Sequence, residues 1–156
     1  TLEHIKTRFY RPPALKQTPG MQAGGKLGFD LPNTEQELFQ LHAFDVLNTE
    51  SALLSMGDDM DLLKTILTAM IRQEMPNDIM ALDRAYAAKE WGEIEKLAHR
   101  MKGGLVYCGT VKLVQACQYL ERYHKAGHTR LLEALYEQLR LVADETTVAI
   151  QDWLTR

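Results

Sequence analysis

The chain has 156 residues, 46% hydrophobic and only 8% aromatic, and a formal net charge of -3. That length is one domain with enough apolar material for a single core, and the charge balance excludes the basic field that nucleic-acid binding needs. Cys108 and Cys117 are too few for a disulfide framework and sit among apolar helical positions, so both are expected as buried thiols in a reducing compartment.

Seven methionines, abundant Leu and Ala and few β-branched runs favour helices over strands. No apolar run approaches the roughly 18 residues that a membrane span requires, and the first residues lack a signal peptide's apolar stretch, so a cytoplasmic domain without membrane contact is expected. The chain opens TLEHIK without an initiator methionine, so either processing or excision from a longer parent is expected, and such a parent could be anchored in an inner membrane.

In chain order, residues 1–33 hold four of the five prolines (Pro12, Pro13, Pro19, Pro32) and Gly20, Gly24, Gly25 and Gly28. This richness in helix breakers predicts a linker or N-terminal arm, with a short helical turn near Leu2–Phe9. The domain proper is expected over 34–156. Thr34 and Glu37 have capping-box spacing, and Leu38, Leu41 and Phe44 predict a short helix to about Ala43. Asn48 can cap a second short turn through Leu54. Gly57 breaks the chain, and Asp58 is expected to cap a longer helix with Leu62, Leu63, Ile66, Leu67 and Met70 facing inward. Pro76 should kink or restart this element, which continues through Ile79, Leu82 and Tyr86.

The next helix, 91–107, has Ile94, Leu97, Ala98, Met101, Leu105 and Cys108 in one narrow arc at about 100° per residue. The centre of that arc lies roughly 150° from His99, so His99 is expected to point at solvent. Its helical neighbours are Gly92, Glu95, Lys102, Gly103 and Val106. Gly109 and Thr110 mark a turn into a helix with Leu113, Cys117 and Leu120 on its stripe. After Ala126, Gly127 and His128, a last helix runs from Thr129 to about Leu154, with Leu132, Leu135, Leu139, Val142, Ala149 and Trp153 as its seam. Short loops between long amphipathic helices predict an all-α fold, an up-and-down antiparallel four-helix bundle with short extra helices before it.

Chemistry concentrates around His99. A neutral imidazole is a competent nucleophile near pH 7, since the ordinary value of about 6.5 leaves most of it unprotonated. Attack on phosphorus would set negative oxygens beside Lys102, a flexible point charge on the same face. Gly103 and Gly104 each cost a helix interior about 1 kcal/mol relative to alanine, a liability that a close approach by a partner would explain. On spacing alone such a pair is usually part of an ordinary solvated surface.

The run AHRMKGG, followed by Gly109, Leu113, Cys117, Leu120 and Glu121, resembles the signature of histidine-containing phosphotransfer (HPt) domains of bacterial two-component phosphorelays. Residues 34–154 also resemble the family's helical order, VLNTESALLSMGDDMDLLKTIL included, whereas 1–33 lie outside it. Met101 and Gly104 are modest departures. The resemblance implies that His99 is phosphorylated on Nε2, that Lys102 steadies the phosphoryl oxygens, that Gly103 leaves room for a receiver domain, and that Gly109 tightens the turn behind the helix. It further implies a phosphoryl carrier, not an enzyme in itself. It would exchange the group reversibly with the aspartates of response-regulator receiver domains, which supply their own Mg2+, while this domain binds no cofactor. A parent hybrid sensor kinase would bring kinase and receiver modules of its own as further partners. Exposed Val106 and Tyr107, with Glu95 on the same polar face, are expected as the docking surface. The alternative is a non-catalytic helical adaptor or dimerisation module with the same fold.

Other candidates read more plainly. Glu121 and His124 make one E-x-x-H step, and the second copy that a di-iron bundle needs is missing, because Glu95 and His99 are four apart. No metal site is expected. His4, His42 and His128 are expected at the surface or as caps, and His124 near the core edge. Trp91 and Trp153 are expected as core anchors, and Asp58, Asp59 and Asp61 as favourable charges at a helix start.

Overall fold

The computed structural model describes residues 27–156, so His4, the turn near Leu2–Phe9 and most of the arm lie outside the described residues. Among those described, all regular structure is helical. A 3-10 turn at Gln36–Phe39 is followed by α1 (Thr49–Ser55), α2 (Met60–Ala69), a π segment (Met70–Glu74), α3 (Met75–Ala87), α4 (Trp91–Leu105), α5 (Val111–Lys125) and α6 (Leu132–Leu154). The α2–π–α3 rod is the first long element of the bundle. Its α3 part packs on α4, α4 on α5 and α5 on α6, and α6 returns against α2 and the π segment. The expected four-helix bundle is present.

Pro76 decides how the rod is built. In a regular helix its ring would meet the carbonyl four residues back, and its nitrogen can donate nothing. Here the chain widens by one residue just before it: the Met75 amide bonds to the Met70 carbonyl in a π pattern, and Pro76 falls in the first turn of α3, where no N–H is needed. The rod is therefore bent and not broken.

Turns between the long helices are set by backbone hydrogen bonds. At the end of α3, Lys89 takes a left-handed φ of 55°, its amide bonds to the Tyr86 carbonyl, and the Glu90 amide bonds to Ala85. This Schellman arrangement makes Glu90 at once the last residue of one turn and the N-cap of α4. Gly127 does the same at the end of α5, where a φ of 95° favours glycine.

Several boundaries differ from those read in the sequence. The Thr34–Glu37 capping box forms, through Glu37 N–H to Thr34 Oγ1 (3.4 Å) and Thr34 N–H to Glu37 Oε1 (3.2 Å), yet it opens only the 3-10 turn, not a helix to Ala43. Leu38 and Leu41 are nevertheless buried, so the segment is held by its side chains and not by its propensity. Asn48 caps α1, accepting from the Ser51 amide at 3.0 Å. The cap of α2 is Asp59, which accepts from the Leu62 amide at 3.0 Å, and not Asp58, which has a left-handed φ of 63°. Leu62 consequently faces solvent while Leu63, Leu67 and Met70 are buried. The last helix begins at Leu132, three residues after Thr129, and its buried seam passes through Ala143, Thr146 and Ile150, with Ala149 and Trp153 only partly covered. Trp91 is likewise half-buried and meets Tyr86 and Tyr136 edge-on.

Among the described residues, packing against the bundle extends back at least to Leu27, seven residues before the boundary drawn from the sequence. Leu27 and Leu31 are buried, and the Leu27 carbonyl lies 2.7 Å from His128 Nε2. His128, expected at the surface or as a cap, follows the end of α5, where its amide bonds to the Tyr123 carbonyl, and its half-buried ring is tilted over that of Tyr123 at 4.7 Å, because it pins this incoming segment. His42 is exposed, as expected.

Candidate functional site

The site lies on the surface shared by α4 and α5. Ile94, Leu97, Ala98, Met101 and Leu105 form the buried face of α4, and Cys108 is buried just beyond it, so the apolar arc read from the sequence is the inward one. On α5 the buried face comprises Leu113, Ala116, Cys117, Leu120 and Tyr123. Burial of this apolar seam fixes the rotation of both helices, and with it the direction of everything on their outer edges. His99 emerges at that edge with a side chain 67% exposed.

A residue that the sequence reading left without a role in the site organises it. Glu121 projects from α5 toward α4 and is almost wholly buried, with a side chain 2% exposed. Its Oε2 lies 3.0 Å from His99 Nδ1 and its Oε1 lies 2.9 Å from Lys102 Nζ. Burial works against this charge, but the Lys102 ammonium and the His99 ring outweigh it and hold the carboxyl below its ordinary value of 4.5. An ionised carboxylate only accepts hydrogen bonds, so Nδ1 of His99 is the protonated nitrogen and donates. In the neutral ring the free lone pair is then on Nε2.

Lys102 is the main departure from expectation. The sequence placed it on the solvent face, but its side chain is only 16% exposed, because it leans across the helix interface to reach Glu121. The contact with Oε1 is an ion pair, and the ammonium has N–H donors to offer to a further acceptor. Gly103 and Gly104 are both exposed, and a β-carbon built on either meets nothing within 4 Å. Among the described residues no contact requires glycine there.

Gly109 stands in contrast. Its φ is 74°, and a β-carbon would lie 2.1 Å from the Asn48 carbonyl oxygen and 3.2 Å from Ala52 Cβ. The same carbonyl region is tied down by Asn48 N–H to the Gly109 carbonyl at 2.8 Å and by Lys112 N–H to the Asp45 carbonyl at 2.8 Å. The turn between α4 and α5 is thus clamped by the segment entering α1. Thr110 adds a buried hydroxyl donating to the Leu105 carbonyl at 3.1 Å. Val106 and Tyr107, on the outer side of this turn, are 48% and 51% exposed.

Glu95 is not a free surface group. It accepts from His124 Nδ1 at 2.7 Å and pairs with Lys125 Nζ at 3.5 Å. The E-x-x-H step of Glu121 and His124 is therefore split between two different partners. Among the described residues no group of three or more His, Cys, Asp or Glu is placed to hold a metal ion. Burial pushes the Cys117 thiol up to about 12 and that of Cys108 up to about 11, which keeps both as inert core groups.

This arrangement defines a class, helical bundles that expose a carboxylate-oriented histidine on a helix edge. The profile of the Hpt domain family matches residues 66–151, more than half of the chain, and the protein belongs to that family. Its members take part in phosphorelays as phosphohistidine carriers, not catalysts, with response-regulator receiver domains as partners. No curated protein and no solved structure matches the chain significantly. No helix among the described residues is long and apolar enough to cross a membrane.

Proposed function

We propose that His99 is the phosphoryl acceptor of this domain and that Nε2 is the atom that carries the group. The observation that supports this most is the pairing of the exposed imidazole with buried Glu121. The carboxylate accepts the hydrogen bond from Nδ1–H, turns the ring outward and leaves the nucleophilic lone pair on Nε2 at the solvent side. In the forward step Nε2 attacks the phosphorus of a receiver's aspartyl phosphate, an N–P bond forms, the P–O bond to the aspartate breaks and the receiver's carboxylate departs. The positive charge that develops on the ring is met by Glu121, which already faces Nδ1. Lys102 contributes its remaining donors to the phosphoryl oxygens, and the Mg2+ belongs to the receiver, on its own chain or on a hybrid kinase that includes this domain.

Gly103, Val106 and Tyr107 are proposed as the surface that the receiver covers, with bare Gly103 beside His99 allowing the two backbones to come close. Glu95 acts in this reading through its pair with His124 and not as a free contact. The test is incubation with a phosphorylated receiver, comparing His99→Gln with the parent. Acid-labile, base-stable label present in the parent and absent in the variant supports the assignment. Equal labelling of both rejects His99, and no labelling of either favours an adaptor that has kept the fold alone.

A further inference from the structure

The α4–α5 surface carries a second group built on the same plan. In the first, a carboxylate on α5 (Glu121) holds a histidine and a lysine from α4 (His99 and Lys102). In the second the helices exchange roles: a carboxylate on α4 (Glu95) holds a histidine and a lysine from α5, with His124 Nδ1 at 2.7 Å and Lys125 Nζ at 3.5 Å. Glu95 is four residues from His99 and His124 is three from Glu121, so the groups are neighbours on antiparallel helices, about 6 Å apart along the axis.

His124 has the features that make His99 a nucleophile. Its Nδ1 faces an acceptor-only group and so carries the proton, which leaves the lone pair on Nε2. The side chain is 29% exposed, and Nε2 has no hydrogen bond among the described residues and is not a buried orphan atom. Lys125 supplies an exposed ammonium tied to the same carboxylate. The difference from His99 is access: the ring is more than twice as covered, so a small donor reaches it more readily than the face of a protein domain.

We propose that His124 is a second phosphoryl-accepting imidazole, charged by low-molecular-weight acyl phosphates. Nε2 would attack the phosphorus, the N–P bond would form as the bridging P–O bond breaks, and the donor's carboxylate would leave with the electron pair. The Nδ1 proton stays in its bond to Glu95, whose charge balances the ring, and Lys125 faces the new phosphoryl oxygens. The proposal borrows the chemistry assigned to His99 but concerns a different atom and donor, so the two can fail separately.

The experiment treats full-length His99→Gln with acetyl phosphate and follows base-stable, acid-labile label by phosphate-affinity electrophoresis, with peptide mass spectrometry to place it. One phosphoryl group on His124 is expected, lost in His99→Gln/His124→Gln and formed about tenfold more slowly in His99→Gln/Glu95→Gln, which lacks the carboxylate that orients the ring. Circular dichroism on each variant establishes that the bundle is intact. An unlabelled His99→Gln protein, or label that persists in the double variant, overturns the proposal. Receiver-dependent labelling of the parent is read separately and reports on His99 alone.

Discussion

Gly103→Ala separates a glycine kept for the fold from one kept for a partner. The position lies inside α4, two residues before its last residue Leu105, is exposed, and has open space where a β-carbon would go. Nothing inside the chain opposes the methyl group, so the change should register only the helix preference of alanine over glycine, about 0.8–1.0 kcal/mol in favour of the folded state. In a chain of 156 residues that corresponds to a rise in Tm of about 2–4 °C. Receiver docking should respond in the opposite sense, because the added methyl stands beside His99 where a partner backbone must approach. A single methyl in a tightly packed interface costs about 1–3 kcal/mol, a loss of about 5- to 150-fold in transfer rate at subsaturating receiver. Thermal denaturation followed by circular dichroism reads the first effect, and phosphotransfer from a labelled receiver reads the second. A variant that is less stable than the parent, or one that is more stable and transfers at the parental rate, would refute the reasoning.

Gly109→Ala should do the reverse, since a β-carbon at 2.1 Å from the Asn48 oxygen forces the α1 entry segment away while a left-handed φ penalises the side chain as well. A loss of about 2–5 kcal/mol is expected in urea denaturation, from roughly 1–2 for the backbone and 1–3 for the clash. Lys102→Ala should both slow transfer and lower stability by about 2 kcal/mol, because it strips buried Glu121 of its main counter-charge; adding Glu121→Gln should recover part of the stability but not the transfer, and simple additivity in this double-mutant cycle would contradict the pairing. Because the Glu121 carboxyl is held below its ordinary value in the folded state, its contribution is complete above pH 4.5 and is lost as the pH falls below that value. Urea titrations between pH 3 and pH 7, about the ordinary carboxylate range, should therefore show a shallower acid limb for Glu121→Gln than for the parent.

How much of this was legible in the sequence follows from the range of the forces involved. The inward arc of α4, the cap at Asn48 and the solvent-facing position of His99 depend on residues within a turn or two of each other, and periodicity reads such relations directly. The choice of Asp59 over Asp58 as a cap was less accessible. Both carry the right side chain, and the difference is one residue of left-handed backbone after Gly57. The helix expected to Ala43 shrank to a 3-10 turn because Leu38 and Leu41 satisfy the core without one. Signals for the π segment were present in Pro76, but whether the chain would break, kink or widen depended on what packed around it.

Amino-acid order alone determined an all-helical chain, a histidine and lysine on one helix edge, and two poor helix formers beside them. Tertiary structure decided which groups answer to which. Glu121 lies 22 residues from His99 in the chain and 3.0 Å from it in space, and its approach drew Lys102 from the expected solvent face into an ion pair. The antiparallel crossing of α4 and α5 places a carboxylate of one helix against the imidazole of the other. No local pattern encodes that contact, because the register between two helices is set by burial of the apolar seam beneath them.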